Sequence, residues 1–67
     1  MKNIRSAATH SVSAPAGVVP IVRQEGVLGF VERAGKVFVA LAGSRYDRAV
    51  EVGQRLSFTE AQAVVAG

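Results

Sequence analysis

The chain has 67 residues, no cysteine and a formal net charge of +3 at pH 7. A chain of this length forms one small domain that buries only about 60% of its unfolded surface, so help from a partner is expected. The lack of cysteine excludes a disulfide scaffold and is typical of a reducing, cytoplasmic compartment. Hydrophobic residues make up 49% of the chain, but charged residues interrupt each run before the ~18 residues that a membrane span needs, so no membrane association is expected.

Residues 1–16 are predicted to be a flexible basic arm, ahead of a single domain over 17–67. The arm is small and polar without a strand or helix period, and it carries Lys2 and Arg5 with no acid beside them. Such an arm can follow a phosphate backbone, lie on an acidic protein, fold across the domain or remain a disordered terminus. It lacks the continuous apolar segment of an export signal.

Regularly spaced glycines divide the next part of the chain into apolar segments. Two-residue turns at Glu25-Gly26, Ala34-Gly35 and Gly43-Ser44 are typical of β-hairpins. We therefore expect an antiparallel meander with strands at about 18–24, 27–33, 36–42 and 45–52.

The C-terminal segment is predicted to be a helix over about 58–66. Ser57 and Glu60 have the spacing of a capping box, in which the serine hydroxyl accepts a hydrogen bond from the backbone N–H of Glu60. Gly67 stands where a helix-ending glycine is expected. The predicted fold is therefore a small α+β domain, a β-meander of three to four strands with one helix packed on one face.

Side-chain alternation divides the predicted sheet into two faces. The face of Ile21, Phe30, Val39 and Val50 is large and branched, so the helix is expected to cover it. The other face is small and apolar at its centre, with Phe38 as its one large aromatic residue. Because no element is left to cover this second face, it is predicted to bind a partner or a second copy. The predicted partner-binding residues are Val22, Val31, Phe38, Arg33, Lys36 and Arg45.

The residue types predict that the protein is not an enzyme and takes no cofactor, metal or small-molecule substrate. The one histidine, His10, lies in the arm, and the chain has no cysteine to complete a nucleophilic or metal site. The glycines are spaced as turn markers and match no phosphate-binding loop.

Three segments together resemble AP2-like domains and the arm-binding domains of phage-type integrases. They are the strand opening at Gly35-Lys36, the strand closing at Val52-Gly53, and the helix beginning Ser57-Phe58-Thr59-Glu60-Ala61. The resemblance implies a sheet laid in a DNA major groove. That family binds DNA with Arg, Lys and aromatic side chains on the exposed face, whereas Val31, Ala40 and Ala49 stand at the centre here.

Two functions follow from the sequence. The first is a protein-interaction module of the kind found in phages and mobile elements, which binds and inhibits or scaffolds a larger protein, or self-associates. The alternative is a small DNA-binding accessory protein that uses the sheet and the arm. Its candidate nucleic-acid contacts are Lys2, Arg5, Arg33 and Arg45.

Overall fold

The computed structural model describes residues 15–67, which form a four-stranded antiparallel sheet with one helix packed against it. The strands lie side by side in chain order, so the predicted α+β meander is confirmed. The elements are β1 (Val18–Arg23), β2 (Gly26–Ala34), β3 (Val37–Ala42), β4 (Val50–Arg55) and α1 (Phe58–Ala66). The predicted arm lies outside the described residues over 1–14, and with it Lys2, Arg5 and His10.

The first two turns are each one residue away from their predicted place. The β1–β2 loop is Gln24-Glu25 and the β2–β3 loop is Gly35-Lys36. Gly35 has a φ of 64°, a conformation that glycine adopts without steric cost. A bulge after Ile21 shifts the β1–β2 register further, so Val19 and Ile21 share a face with Val31 rather than with Phe30.

The predicted fourth strand at 45–52 is wrong in its first half. Residues Tyr46–Arg48 form a single 3-10 turn, and β4 begins only at Val50. The Tyr46 ring packs edge-on against Phe30 with centroids 5.7 Å apart. The Tyr46 hydroxyl also donates a hydrogen bond to Glu32 Oε1 at 3.0 Å. These two contacts draw the segment across the sheet instead of along β3.

The helix has the predicted bounds and ends. The Ser57 hydroxyl accepts from the Glu60 backbone N–H at 3.2 Å, which satisfies one of the free donors of the first turn. At the other end, the Gly67 N–H donates to the Ala63 carbonyl.

The helix covers the face that the sequence predicts to be open. Ala61 lies on Val31 and Ala40, and all three are at most 1% exposed. Phe58 packs edge-on against Phe38 with ring centroids 6.3 Å apart. The prediction that the helix covers the face of Ile21, Phe30, Val39 and Val50 is therefore wrong for Phe30 and Val39, whereas Ile21 does lie in the core beneath the helix.

Small residues on the sheet and on the helix explain why the helix packs on this face. A Cβ atom on Gly29 would lie 2.7 Å from Val65 Cγ1, and one on Gly53 would lie 3.5 Å from Val64 Cγ1. The helix contributes only short side chains here, so it can reach full contact only over a floor without bulky residues. The small apolar floor identified in the sequence is filled by the chain's own helix.

Candidate protein-interaction face

The second face of the sheet, here called the open face, has no other strand or helix of residues 15–67 packed over it. Its members follow from the strand register, because directly paired residues point to the same side. Tyr46 covers Phe30, which is only 1% exposed. The open face comprises Val18, Pro20, Val22, Leu28, Phe30, Glu32, Val37, Val39, Leu41, Glu51, Val52 and Gln54.

The centre of the open face carries an apolar strip along β3. Val37, Val39 and Leu41 stand at every second position of this strand and are half-buried. Val52, in the bulge of β4 beside Leu41, is 49% exposed. From Val37 to Leu41 the strip measures ~13 Å at ~3.3 Å per residue. It is a continuous apolar surface between two neighbouring strands. We call these four residues the β3 strip.

Two carboxylates flank the β3 strip, one on each side. Glu32 is paired with Val39 from β2, and Glu51 is paired with Leu41 from β4. Among residues 15–67, Glu32 accepts a hydrogen bond from the Tyr46 hydroxyl, and Glu51 accepts one from Gln54 Nε2 at 2.9 Å. A carboxylate has room for further donors, so both remain able to bind a cationic group from outside.

The Tyr46 hydroxyl is held in its protonated form by this arrangement. The hydrogen bond to Glu32 raises the pKa of Tyr46 above its usual value of 10.0, and burial and the charge of Glu32 act in the same direction. Tyr46 is therefore a donor at neutral pH, and its ring forms a ridge beside the strip.

Two outward-facing positions of β1 offer no donor to another strand. The Arg33 N–H donates to the Gly17 carbonyl, so the alternation of ladder hydrogen bonds turns the backbone groups of Val18 and Pro20 outward. Pro20 has no N–H, and the Val18 N–H donates to the Pro15 carbonyl at 3.1 Å. Neither position offers a free donor to a neighbouring chain.

The outer edge of β4 is irregular and one of its carbonyl groups is occupied. Phe38 and Ala40 pair with Arg55 and Gly53, which leaves the backbone groups of Gln54 facing outward. The Gln54 carbonyl already accepts from Arg55 Nη1 at 2.8 Å. The bulge at Val52 further disrupts the pattern that an added strand would need.

The structure does not bring the six predicted partner-binding residues together. Val31 and Phe38 lie beneath the helix, so neither presents a surface to a partner. Arg33 is on the helix side as well, with its guanidinium carbon 5.9 Å from the Phe38 ring centroid. Lys36 is in the β2–β3 turn.

The other two predicted residues lie elsewhere. Val22 is 56% exposed on the edge strand and faces the open side. Arg45 lies beyond the far end of β3, ~17 Å of strand away from Lys36, and it is ion-paired with Asp47 at 3.4 Å.

A row of basic side chains crosses the helix side. Arg33 and Arg55 pair with Phe38 from its two neighbouring strands. Within residues 15–67 only Arg45 has a carboxylate within 4.0 Å, so neither arginine of this row is ion-paired there. Of these two guanidinium groups, that of Arg33 lies over the Phe38 ring, and that of Arg55 donates to the Gln54 carbonyl.

The sequence analysis missed the β3 strip because it predicts these residues under the helix, although it places Val22 on the open face correctly. Val37, Val39 and Leu41 were correctly grouped by their alternation, but the wrong group was chosen for burial. The available signal was the helix itself, whose Ala61, Val64 and Val65 are too short to cover a floor of bulky side chains.

Residues 15–67 contain neither a metal-binding cluster nor a membrane-spanning helix. No group of three or more His, Asp or Glu side chains in this range could hold a metal ion. No helix in the same range is long and apolar enough to cross a membrane.

No protein-family model, curated protein or solved structure matches the chain. The resemblance to AP2-like and integrase arm-binding domains therefore stays a prediction.

Proposed function

We propose that the protein is a non-catalytic protein-interaction module and that it binds its partner through the open face. The observation that carries this proposal is the β3 strip, an apolar surface that no helix or other strand of residues 15–67 covers. The surrounding charged groups, Glu32 and Glu51, form a polar rim. An apolar centre with a polar rim is the usual composition of a protein-binding site.

The β1 edge supports the face, rather than this edge of the sheet, as the binding surface. Strand addition needs a row of free N–H and C=O groups, and Pro20 interrupts that row on β1. The lack of cysteine favours a reducing, cytoplasmic setting for this interaction.

Site-specific photo-crosslinking in the cells that encode the protein tests this proposal. A photoreactive phenylalanine analogue replaces Val37 at the end of the β3 strip, and in a matched chain it replaces Leu56, which is 78% exposed but lies outside the strip. We expect a protein adduct from position 37 and none from position 56. Adding Val39→Glu should abolish the adduct while circular dichroism stays unchanged. Equal crosslinking from both positions, or an adduct that survives Val39→Glu, would contradict the proposal.

A second candidate function, nucleic-acid binding, is favoured by the unpaired row of Arg33 and Arg55 beside Phe38. Phosphate contacts make affinity fall steeply between about 50 and about 200 mM salt, whereas an apolar contact hardly responds. Fluorescence anisotropy with a DNA duplex over this range therefore separates the two functions. Salt-sensitive binding that is lost in Arg33→Ala/Arg55→Ala and kept in Val39→Glu would place the nucleic-acid function first.

A further inference from the structure

The size of the open face limits what can occupy it. Four strands at ~4.8 Å spacing and about six residues at ~3.3 Å give a surface of ~400 Å². A stable complex between two folded proteins buries ~800 Å² on each partner. An occupant that contacts this face alone therefore makes a small interface, of the size that a single short element forms.

The position of the face disfavours a second class of occupant. An extended segment that adds to a sheet as a further strand lies beside an edge strand and leaves the open face uncovered. The occupant must instead lie across the face. A helix meets this requirement because its own backbone hydrogen bonds are internal.

The dimensions and charges of the β3 strip match such a helix. The strip is ~13 Å long, which about nine helical residues span at ~1.5 Å per residue. Glu32 flanks the strip from β2 and Glu51 from β4, so the two sides of the strip both carry negative charge. Their complement is a helix with an apolar stripe and a basic residue on each flank.

We infer that the open face receives a short amphipathic helix of a partner protein, with Lys or Arg on both flanks of its apolar stripe. This inference rests on the proposed function and adds the chemistry of the partner. The apolar stripe lies on Val39 and Leu41, and the basic flanks bind the free oxygen lone pairs of Glu32 and Glu51. The chain has a net charge of +3, so its overall charge repels a basic ligand. Only the local negative charge of Glu32 and Glu51 favours one.

Titration with three synthetic peptides tests the inference on the full-length chain. All are 14 residues long and lack aromatic residues. The first has leucines at helical spacing flanked by lysines, the second has the same leucines flanked by glutamates, and the third has the composition of the first with its stripe scrambled. Fluorescence of Tyr46 reports binding, because the chain contains one tyrosine and no tryptophan.

We expect the lysine-flanked peptide to bind at least tenfold tighter than either of the others. Glu32→Gln and Glu51→Gln should each weaken it threefold to tenfold, since glutamine keeps the shape and loses the charge. Val39→Glu should abolish binding and the control Leu56→Glu should leave it unchanged.

Three results would overturn the inference. They are binding of the glutamate-flanked peptide as tight as the lysine-flanked one, no loss in Glu32→Gln and Glu51→Gln, and no binding of the lysine-flanked peptide at all. A photo-crosslink from position 37 to residues 1–14 of the chain itself, or to a second copy, would also overturn it. If a different protein is crosslinked at position 37 but the lysine-flanked peptide does not bind, the chemistry assigned to the partner fails while the proposed function stands.

Discussion

Tyr46 shows how one side chain can shape a surface without joining the core. Its ring shields Phe30 and its hydroxyl is tied to Glu32, so a loop residue determines which part of the open face remains accessible. Because the tyrosine is unique in the chain, its titration can be followed directly.

The Tyr46 contact should weaken at high pH. Its pKa is raised in the folded protein, chiefly by the hydrogen bond to Glu32. The proton is therefore held more tightly in the folded state, so the contact stabilises fully below about pH 10 and is lost as the pH rises through the folded pKa. We expect the tyrosinate absorbance of the native protein to titrate at a higher pH than that of the unfolded chain.

Replacing Glu32 is the control for this titration. Glu32→Gln removes the charge and leaves an acceptor, so the midpoint should move back toward the ordinary value. In Tyr46→Phe, stability should lose its dependence on pH near pH 10. A native midpoint equal to that of the unfolded chain would show that the Tyr46 hydroxyl does not hold Glu32 in solution.

At the scale of elements, contact between α1 and the sheet depends on the absence of side chains at a few positions. The helix brings Ala61, Val64 and Val65 to the sheet, and these short residues pack only where the floor is equally small. The close fit makes the two layers sensitive to added volume.

Replacement by alanine should affect stability very differently at Gly29 and at Gly53, the two glycines beneath the helix. A Cβ at position 29 meets the Leu41 carbonyl oxygen as well as Val65 Cγ1 at 2.7 Å, and the carbonyl belongs to the backbone and cannot move aside. We expect Gly29→Ala to lower the free energy of unfolding by about 2–3 kcal/mol, measured by urea denaturation.

Gly53→Ala is the matched control. Its Cβ would be 3.5 Å from Val64 Cγ1 and 3.2 Å from Arg55 Nη1, the end of a flexible side chain. This variant should stay within about 1 kcal/mol of the wild type. Equal losses of unfolding free energy in the two variants would mean that the Leu41 carbonyl and Val65 do not confine position 29 more tightly than position 53 is confined.

For the whole molecule, the sequence predicted what depends on local chemistry. The strand order and the helix bounds follow from glycine turns and from the Ser57 cap, each of which acts within a few residues. The assignment of faces failed because it depends on distance between layers. Phe30 and Val39 are predicted to lie under the helix because of their size. The helix instead packs on Val31 and Ala40, which let it approach the sheet closely.

The β1 register failed for a related reason. The bulge after Ile21 shifted the β1–β2 register by one residue, so Ile21 lies under the helix together with Val31 instead of with Phe30. The sequence predicts Tyr46 as part of a strand. Its contacts with Phe30 and Glu32, which place it in a 3-10 turn instead, join residues 14 or more positions apart in the chain. Nothing in the immediate surroundings of Tyr46 indicates this pairing.

Pro20 in the edge strand β1 also bears on whether the protein aggregates in concentrated solution. A chain with 49% hydrophobic residues and an open strand edge would be expected to polymerise into amyloid-like fibres. Pro20 removes the outward donor from the middle of β1, so Pro20→Val should restore a template for growth. We expect this variant to form thioflavin-positive fibres at concentrations where the wild type stays dispersed; if both stay dispersed, the proline is not what protects the edge. Fibres in Pro20→Val alone would show that Pro20 limits edge-to-edge association of this chain.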